Sequence, residues 1–596
     1  MNDEELEMPQ NVKHTVKKLW HSIDNQYKRL GIVTVSVIFY TFLSILAPLY
    51  SAHIVDLLWN GVKAAIDSGV TFSITWNQCG FEILILFIIY LATYVFYTLQ
   101  NFLMASFAEK LGLRLREEIS QKLNRLPLSY FDKHQPGEIL SRATNDLDKM
   151  SEALQTGLLK LFTSIGMMIG SVIMMFTFSS LLTGIFLFFI GISILLTNSF
   201  TKKTLQYALN RQKAVGDLTA QVEESYSGRI IIKSFNQEEK SLQDFCQITE
   251  EVAQTSKKAD FITNGINPII RLVNRVGQAI IAILAGNLLI SGKLTVGIFQ
   301  AFFQYMNQSA EPLTEAAYMI NSLQSALASL ERVYEILEEE EMIGDSSNPK
   351  SIKNARGDIS FENVYFGYNP EKILIKNINF EVKQGQKIAI VGATGAGKTT
   401  LINLLMRFYE INEGKIRLDE IDTKELTRSN LRSNFGMVLQ DTWLFEGTIA
   451  ENIAYGNPNA TREEIVKAAQ MARIDFFIRT MPKGYDTILM NGAENISVGQ
   501  KQLLTIARVM LCNPSVLILD EATSSVDTRT EMEIGKAMDT LMKNRTSFVI
   551  AHRLSTIMDA DLILVMKDGN VIEQGNHQEL LNEKGDYAEL YYSQFA

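Results

Sequence analysis

Cysteine is scarce in this chain. Cys79, Cys246 and Cys512 are the only three in 596 residues, scattered without ligand spacing, which argues against a disulfide framework or a zinc site. Charge is also thin, at 20% of residues with a net value of -10, and that balance argues against nucleic acid as the main partner. What fills the space is apolar: 47% hydrophobic residues, more than a soluble enzyme needs. A chain this long exceeds one hydrophobic core, so several domains are expected.

The apolar residues are unevenly spread. Long runs recur up to about Ser322, whereas beyond Glu340 short apolar strands, glycine turns and charged helices alternate. This pattern predicts an all-α polytopic membrane domain followed by an α/β P-loop nucleotide-binding domain. The expected divisions are a cytoplasmic N-terminal segment over 1–30, a six-helix transmembrane domain over 31–322, a linker over 323–356 and the nucleotide-binding domain over 357–596. Six spans of about 20 residues can be drawn at 31–53, 81–104, 157–178, 181–200, 265–290 and 296–320. The long connections, 105–156 and 201–263, are rich in Lys and Arg and the short ones are not, which places both termini and the long loops in the cytoplasm of a plasma-membrane protein.

Residues 1–30 are polar and mix both charges, unlike a cleavable leader. Val16, Leu19, Trp20 and Ile23 at helical spacing, with Lys17, Lys18, Lys28 and Arg29 around them, predict an amphipathic elbow on the inner membrane face; a helix packed on protein is the alternative. Little proline or glycine interrupts 111–126 or 205–224, so the spans continue as helices into the cytoplasm. Their turns hold Tyr130, Phe131, Asp132 and Lys133 with Gly137 and Arg142, then Glu223, Glu224, Ser227, Gly228 and Phe235. Each reads as a contact for a separate domain or as a solvated loop.

Polar side chains inside spans are costly unless they face a cavity or a partner helix. Arg271 and Arg275 stand one turn apart, and Gln300, Gln304, Asn307, Gln308, Glu311 and Glu315 interleave with Phe299, Phe302, Phe303 and Met306. A cavity for amphipathic or cationic cargo and a set of helix-gluing amides both fit.

The soluble half carries phosphate chemistry. Gly392, Ala393, Thr394, Gly395, Ala396, Gly397, Lys398 and Thr399 form GxxxxGKT between a strand-like stretch and a helical one, and Thr400 continues it. Glycines let backbone N-H groups converge on phosphates, Lys398 can reach their oxygens, and the Thr399 hydroxyl can coordinate Mg²⁺. The apolar run 516–519 delivers Asp520, for the Mg²⁺ shell, and Glu521, to polarise the attacking water. His552 follows the strand 547–550 and could donate to the γ-phosphate; Gln440 could contact Mg²⁺ or the water. Tyr368 could stack on adenine or be a core residue.

These motifs, with Ile496-Ser497-Val498-Gly499-Gln500, resemble the ATP-binding cassette exporters of the half-transporter type over almost the whole chain. The resemblance implies that Tyr368 is the adenine-stacking loop, Gly392 to Thr400 Walker A, Gln440 the Q-loop, Ser524 to Asp527 the D-loop and His552 the switch residue. It implies that Ser497, Gly499 and Gln500 belong to a signature completing the ATP site of a second half-transporter, and that the two cytoplasmic turns are coupling helices. Two letters depart from the pattern: Val498 replaces a glycine of LSGGQ, and Asn491 stands where many exporters have glutamate. Valine resists close approach to phosphate and positive φ. With Glu521, His552 and Gln440 intact, the chain resembles the Walker-B-intact subunit of heterodimeric multidrug exporters, a homodimer being the alternative. The expected activity is ATP-hydrolysis-driven export of amphipathic compounds, multidrug in type, by alternating access. Lipid or peptide export and an ATP-gated sensor or regulatory membrane protein are the alternatives.

Overall fold

The computed structural model describes residues 11–23, 26–69, 76–353, 355–369, 372–440, 442–493, 495–520, 527–551 and 554–594. The chain divides into two compact units, Met1–Asn124 with Pro136–Glu339, and Arg125–Gln135 with Glu340–Ala596.

Among its described residues, the first unit's regular structure is all helix. After α1 (Val12–Ser22) come α2 (Tyr27–Ser68) and α3 (Trp76–Leu123). In the second unit, α4 (Leu128–Lys133) occupies the first cytoplasmic turn. Back in the first, α5 (Pro136–Ser141), α6 (Leu147–Glu152) and α7 (Leu159–Phe178) are joined by two π turns, and α8 (Ser180–Ser227), the short α9 (Arg229–Ser234), α10 (Glu238–Ile290) and α11 (Val296–Glu338) follow. At 1.5 Å per residue the 53 residues of α10 extend about 80 Å, far beyond the roughly 30 Å of bilayer hydrocarbon, so the helix outruns its apolar part. Among the described residues, five helical stretches are long and apolar enough to cross a membrane; α11, expected as the sixth, is not one of them.

Helix contacts explain the pattern of polar and small residues. α2 packs on α3, α8 on α10, and α11 on α7 and α2, around Met175, Leu182, Phe186, Ile281, Phe302, Tyr305 and Met306. Phe302 and Met306, expected beside amides on a cavity face, are packed in this interior at 2% exposure each. At the opposite end of α11 from its charged tail, Asp56 accepts from Thr295 Oγ1 at 2.6 Å and from the Gly297 N-H at 2.7 Å. A Cβ on Gly297 would lie 1.9 Å from the Ala52 carbonyl oxygen, so only glycine permits this approach of α2 to α11.

Toward its other end, α11 is more helical than the sequence suggested. The linker expected from 323 is helix as far as Glu338, because Leu330, Val333 and Ile336 are buried at most 1% exposed. Asp146, 4% exposed, receives Arg332 at 2.6 and 2.9 Å and Ser329 Oγ at 2.9 Å. Arg142, expected in the first turn, pairs with Glu138 and Glu335 in this unit. The α1 helix lies on α11 through a Lys18–Glu338 ion pair and a Ser22–Tyr334 hydroxyl contact of 3.0 Å. Leu19 and Ile23 turn to the protein, while Val12, Val16 and Trp20, at intervals of four, stay exposed. The apolar positions expected on one face are therefore divided between two.

The second unit is built on sheets. β1 (Ile359–Phe366), β2 (Ile375–Val382), β4 (Glu413–Leu418) and β5 (Ile421–Asp422) form an antiparallel sheet in the order β2-β1-β4-β5. β3 (Lys387–Val391), β6 (Phe435–Val438), β9 (Val516–Asp520), β10 (Thr546–Ile550), β11 (Leu562–Lys567) and β12 (Asn570–Gly575) form a second in the order β12-β11-β3-β10-β9-β6, parallel except at β12. β7 (Gly447–Thr448) and β8 (Ile488–Leu489) make a small ribbon. The continuous apolar runs of the parallel strands have one cause: alternate residues face two cores. Val516 and Ile518 enter the core that holds the helix after β3, whereas Leu517 and Leu519 enter the one that holds Ile496 and Leu503.

Candidate nucleotide-binding site

Sheet order sets the site. Because β10 lies between β3 and β9, with β6 beyond, the C-terminal ends of four parallel strands follow one another along one edge, where ligands of open α/β sheets bind. Ile550 pairs with both Ile390 and Asp520, and Val438 pairs with Leu519. The glycine loop after β3, Asp520 at the end of β9 and exposed Gln440 just past β6 therefore share that edge. Glu521 and His552 lie outside the described residues, as do 524–526 of the expected D-loop.

The glycine loop is shaped by conformations closed to other residues. Gly397 takes φ +102° as it caps α12 (Lys398–Leu405), and a Cβ on Gly392 would lie 2.3 Å from the Met566 carbonyl oxygen. The helix begins at Lys398 because Gly397 is its cap. It stops before Arg407, which adopts φ +52° and spends its buried guanidinium on the Thr423 and Leu426 carbonyls, both at 3.1 Å. Lys398 donates to the carbonyls of Gly392 at 2.7 Å and Ala393 at 3.0 Å. Burial pushes its ammonium below the usual lysine range, and the Asp520 carboxylate pushes it back up. No side chain caps α12, so its first N-H groups point into the loop with the positive end of the helix dipole behind them.

Tyr368 is 51% exposed, not a core residue. Its hydroxyl meets Thr400 Oγ1 at 3.0 Å, joining two residues placed separately by the motifs, and its ring meets Phe366 and Tyr409 edge-on. Thr399 is exposed and Thr400 buried. Among the described residues no three His, Cys, Asp or Glu side chains cluster as metal ligands.

The signature run opens α17 (Val498–Cys512), which packs against α15 (Arg462–Met471) and α18 (Thr528–Met542) after α13 (Arg428–Arg432), α14 (Ile449–Ala454) and α16 (Asp475–Thr480) complete the order. Ser497 is the N-cap: its hydroxyl accepts the Gln500 N-H at 3.3 Å and the Gln500 side chain accepts the Ser497 N-H at 2.9 Å. Val498 is the first helical residue, at ordinary negative φ and 53% exposed. The expectation that valine resists a needed positive φ therefore fails here. What remains is its branched bulk at the helix mouth.

Positive φ occurs six and five residues earlier, at Gly492 (+68°) and Ala493 (+53°). Lys501 Nζ donates to the Gly492 carbonyl at 2.6 Å and ties this turn to α17. Sequence reasoning passed over Lys501 and Ala493; the Gly-Ala pair before the signature was the available signal for the turn.

Comparison with known proteins agrees with this geometry. Residues 30–313 match the "ABC transporter transmembrane region" family and residues 375–524 the "ABC transporter" family. A Mycobacterium bovis protein described as "Fatty acid ABC transporter ATP-binding/permease protein" is 43% identical over 536 residues, 90% of this chain and 84% of its own length. The "ATP-dependent lipid A-core flippase" of Desulfotalea psychrophila is 36% identical over 479 residues, 80% of this chain and 84% of its own. A solved bacterial Atm1-family ABC exporter with ATP bound matches at TM-score 0.71 and 27% identity, covering 96% of this chain and 99% of the other. With its glycine loop, its carboxylate strand and a helical membrane part on one chain, the protein belongs to the ATP-binding cassette exporters, as a half-transporter whose ATPase is coupled to transport.

Proposed function

We propose that this chain exports amphipathic compounds as one half of a dimer, with lipid-like cargo standing beside the multidrug type. The observation carrying this reading is the division of polar side chains in the membrane unit. Gln308 accepts from Ser171 at 3.2 Å and donates to the Ser44 carbonyl at 3.4 Å, which makes it helix glue. Asn307 instead continues an exposed chain, receiving Gln278 at 3.1 Å, which receives Arg275 at 3.0 Å. Beside this chain a small hollow is lined by Phe186, Phe189, Gly277, Ile281 and Met306. Such a face offers a cation and amides to a headgroup; the hollow itself, at about 10 Å³, is too small for a tail. The relatives named for a fatty acid and for lipid A support the lipid form. Stimulation of ATPase by palmitate and by a cationic dye in proteoliposomes tests it; if neither stimulates and neither is transported, the amphipathic reading fails.

In the ATP site, Lys398 and the first N-H groups of α12 orient the β- and γ-phosphates, and Tyr368 stacks on adenine. Thr399 and Asp520, with Gln440, would hold Mg²⁺, which neutralises charge developing on the phosphates. Glu521 polarises the attacking water and His552 donates to the γ-phosphate. Glu521→Gln is expected to abolish hydrolysis while ATP still binds; surviving turnover would remove Glu521 from this role.

Ser497, Gly499 and Gln500 face the ATP of a second half-transporter. Exposed Val498 at that helix mouth supports unequal sites and hence a heterodimer, in which this chain supplies the active Walker B carboxylate. Full ATPase activity from the purified chain alone would favour the homodimer.

A further inference from the structure

The second unit contains a contact that neither its phosphate loop nor its signature uses. Segment Arg125–Gln135 is part of this unit, although it is continuous in the chain with α3 and α5 of the membrane unit. The Met342 N-H donates to the Arg125 carbonyl at 3.0 Å, and within the segment His134 stacks on the buried Tyr130 at 4.2 Å. Exposed Asp132, on α4, accepts a hydrogen bond from the Tyr409 hydroxyl. Tyr409 stands four residues past the end of α12, between Arg407 and Glu410, whose side chains meet at 2.8 Å. Arg428 pairs with Glu410 at 2.6 Å and with Asp345 at 2.9 Å. The segment that carries Tyr409 is thus held at several points. Its ring meets Tyr368 at 5.0 Å, perpendicular to it. Burial and the Asp132 carboxylate keep its phenol protonated and therefore a donor.

We propose that Tyr409 is a positioning residue joining the adenine platform to the first cytoplasmic turn: its ring fixes the edge of Tyr368 and its hydroxyl holds Asp132, so that a seated base orders residues 125–135. This rests on the placement of adenine on Tyr368. It adds a distinction between ligands: a triphosphate with a base is read at the turn, whereas a polyphosphate without one fills the glycine loop and is not.

Hydrogen exchange on the full-length protein in lipid nanodiscs tests the inference, with Mg²⁺ and either AMP-PNP or inorganic tripolyphosphate as the probe. AMP-PNP is expected to slow exchange in peptides covering 392–400, 365–369 and 125–135, and tripolyphosphate only in 392–400. Tyr409→Phe keeps the ring and loses the donor. It should retain protection at 392–400 and 365–369 while exchange at 125–135 with AMP-PNP becomes about tenfold faster, the scale of one hydrogen bond to a charged acceptor. Asp132→Ala should match it, and the double variant should be no worse than either single one. Protection of the turn that survives in Tyr409→Phe, that tripolyphosphate also produces, or that is absent from the parent protein would overturn the proposal, as would additive losses in the double variant. Loss of protection at 365–369 alone in the parent would instead remove adenine from Tyr368.

Discussion

Two helix N-termini in the nucleotide unit follow the glycine loop and the signature serine, and they are built in opposite ways. At α12 a glycine in the left-handed region leads into the helix and no side chain caps it. At α17 a serine in extended conformation leads in, and a reciprocal capping box satisfies two N-H groups within the chain. The first end lacks internal partners and gains most from an anion. The second already has partners, so an anion there adds to, or competes with, bonds in place. The contrast gives a physical basis for the proposed division between a loop that grips nucleotide and one that completes a partner's site.

The largest way to break this contrast is at the lysine. Lys398→Ala should weaken ATP binding roughly a hundredfold, as loss of charge-assisted phosphate contacts of about 3 kcal/mol would, while Ser497→Ala should leave this chain's own ATP affinity unchanged; titration with a fluorescent ATP analogue compares them. Gly397→Val should cost about 1 to 3 kcal/mol of stability by forcing a branched residue to φ +102°, read as a fall in the unfolding midpoint. Ser497→Ala should cost about 1 kcal/mol through the lost cap; no change in thermal unfolding would mean that the capping box holds nothing. Val498→Gly should alter stability by less than about 1 kcal/mol yet raise hydrolysis at the composite site of the assembled dimer. Unchanged hydrolysis would remove Val498 as the source of inequality between sites.

How far the letters carried depended on what the geometry needed. The glycine loop was legible because Gly392 and Gly397 answer backbone requirements written in residue type alone. The strands were legible because two cores make runs such as Val516 to Leu519 apolar at every position. The helical nature of 323–338 was hidden by an acidic surface over a narrow buried stripe. Gln308 and Asn307 are neighbours of similar chemistry, and which one glues helices depends on where Ser44 and Ser171 stand. The Tyr409–Asp132 pair spans 277 positions, and no local pattern announces it.

The Asp56 contact has a kinetic consequence. A carboxylate of α2 caps the first turn of α11, at a point where Gly297 lets the two helices touch backbone to backbone. Any step of a transport cycle that parts α2 from α11 there would have to break that cap. A cap of this kind is worth about 0.5 to 2 kcal/mol, enough to slow such a step by a factor of roughly 2 to 30. If these helices part during transport, Asp56→Asn is expected to shorten the dwell before they separate.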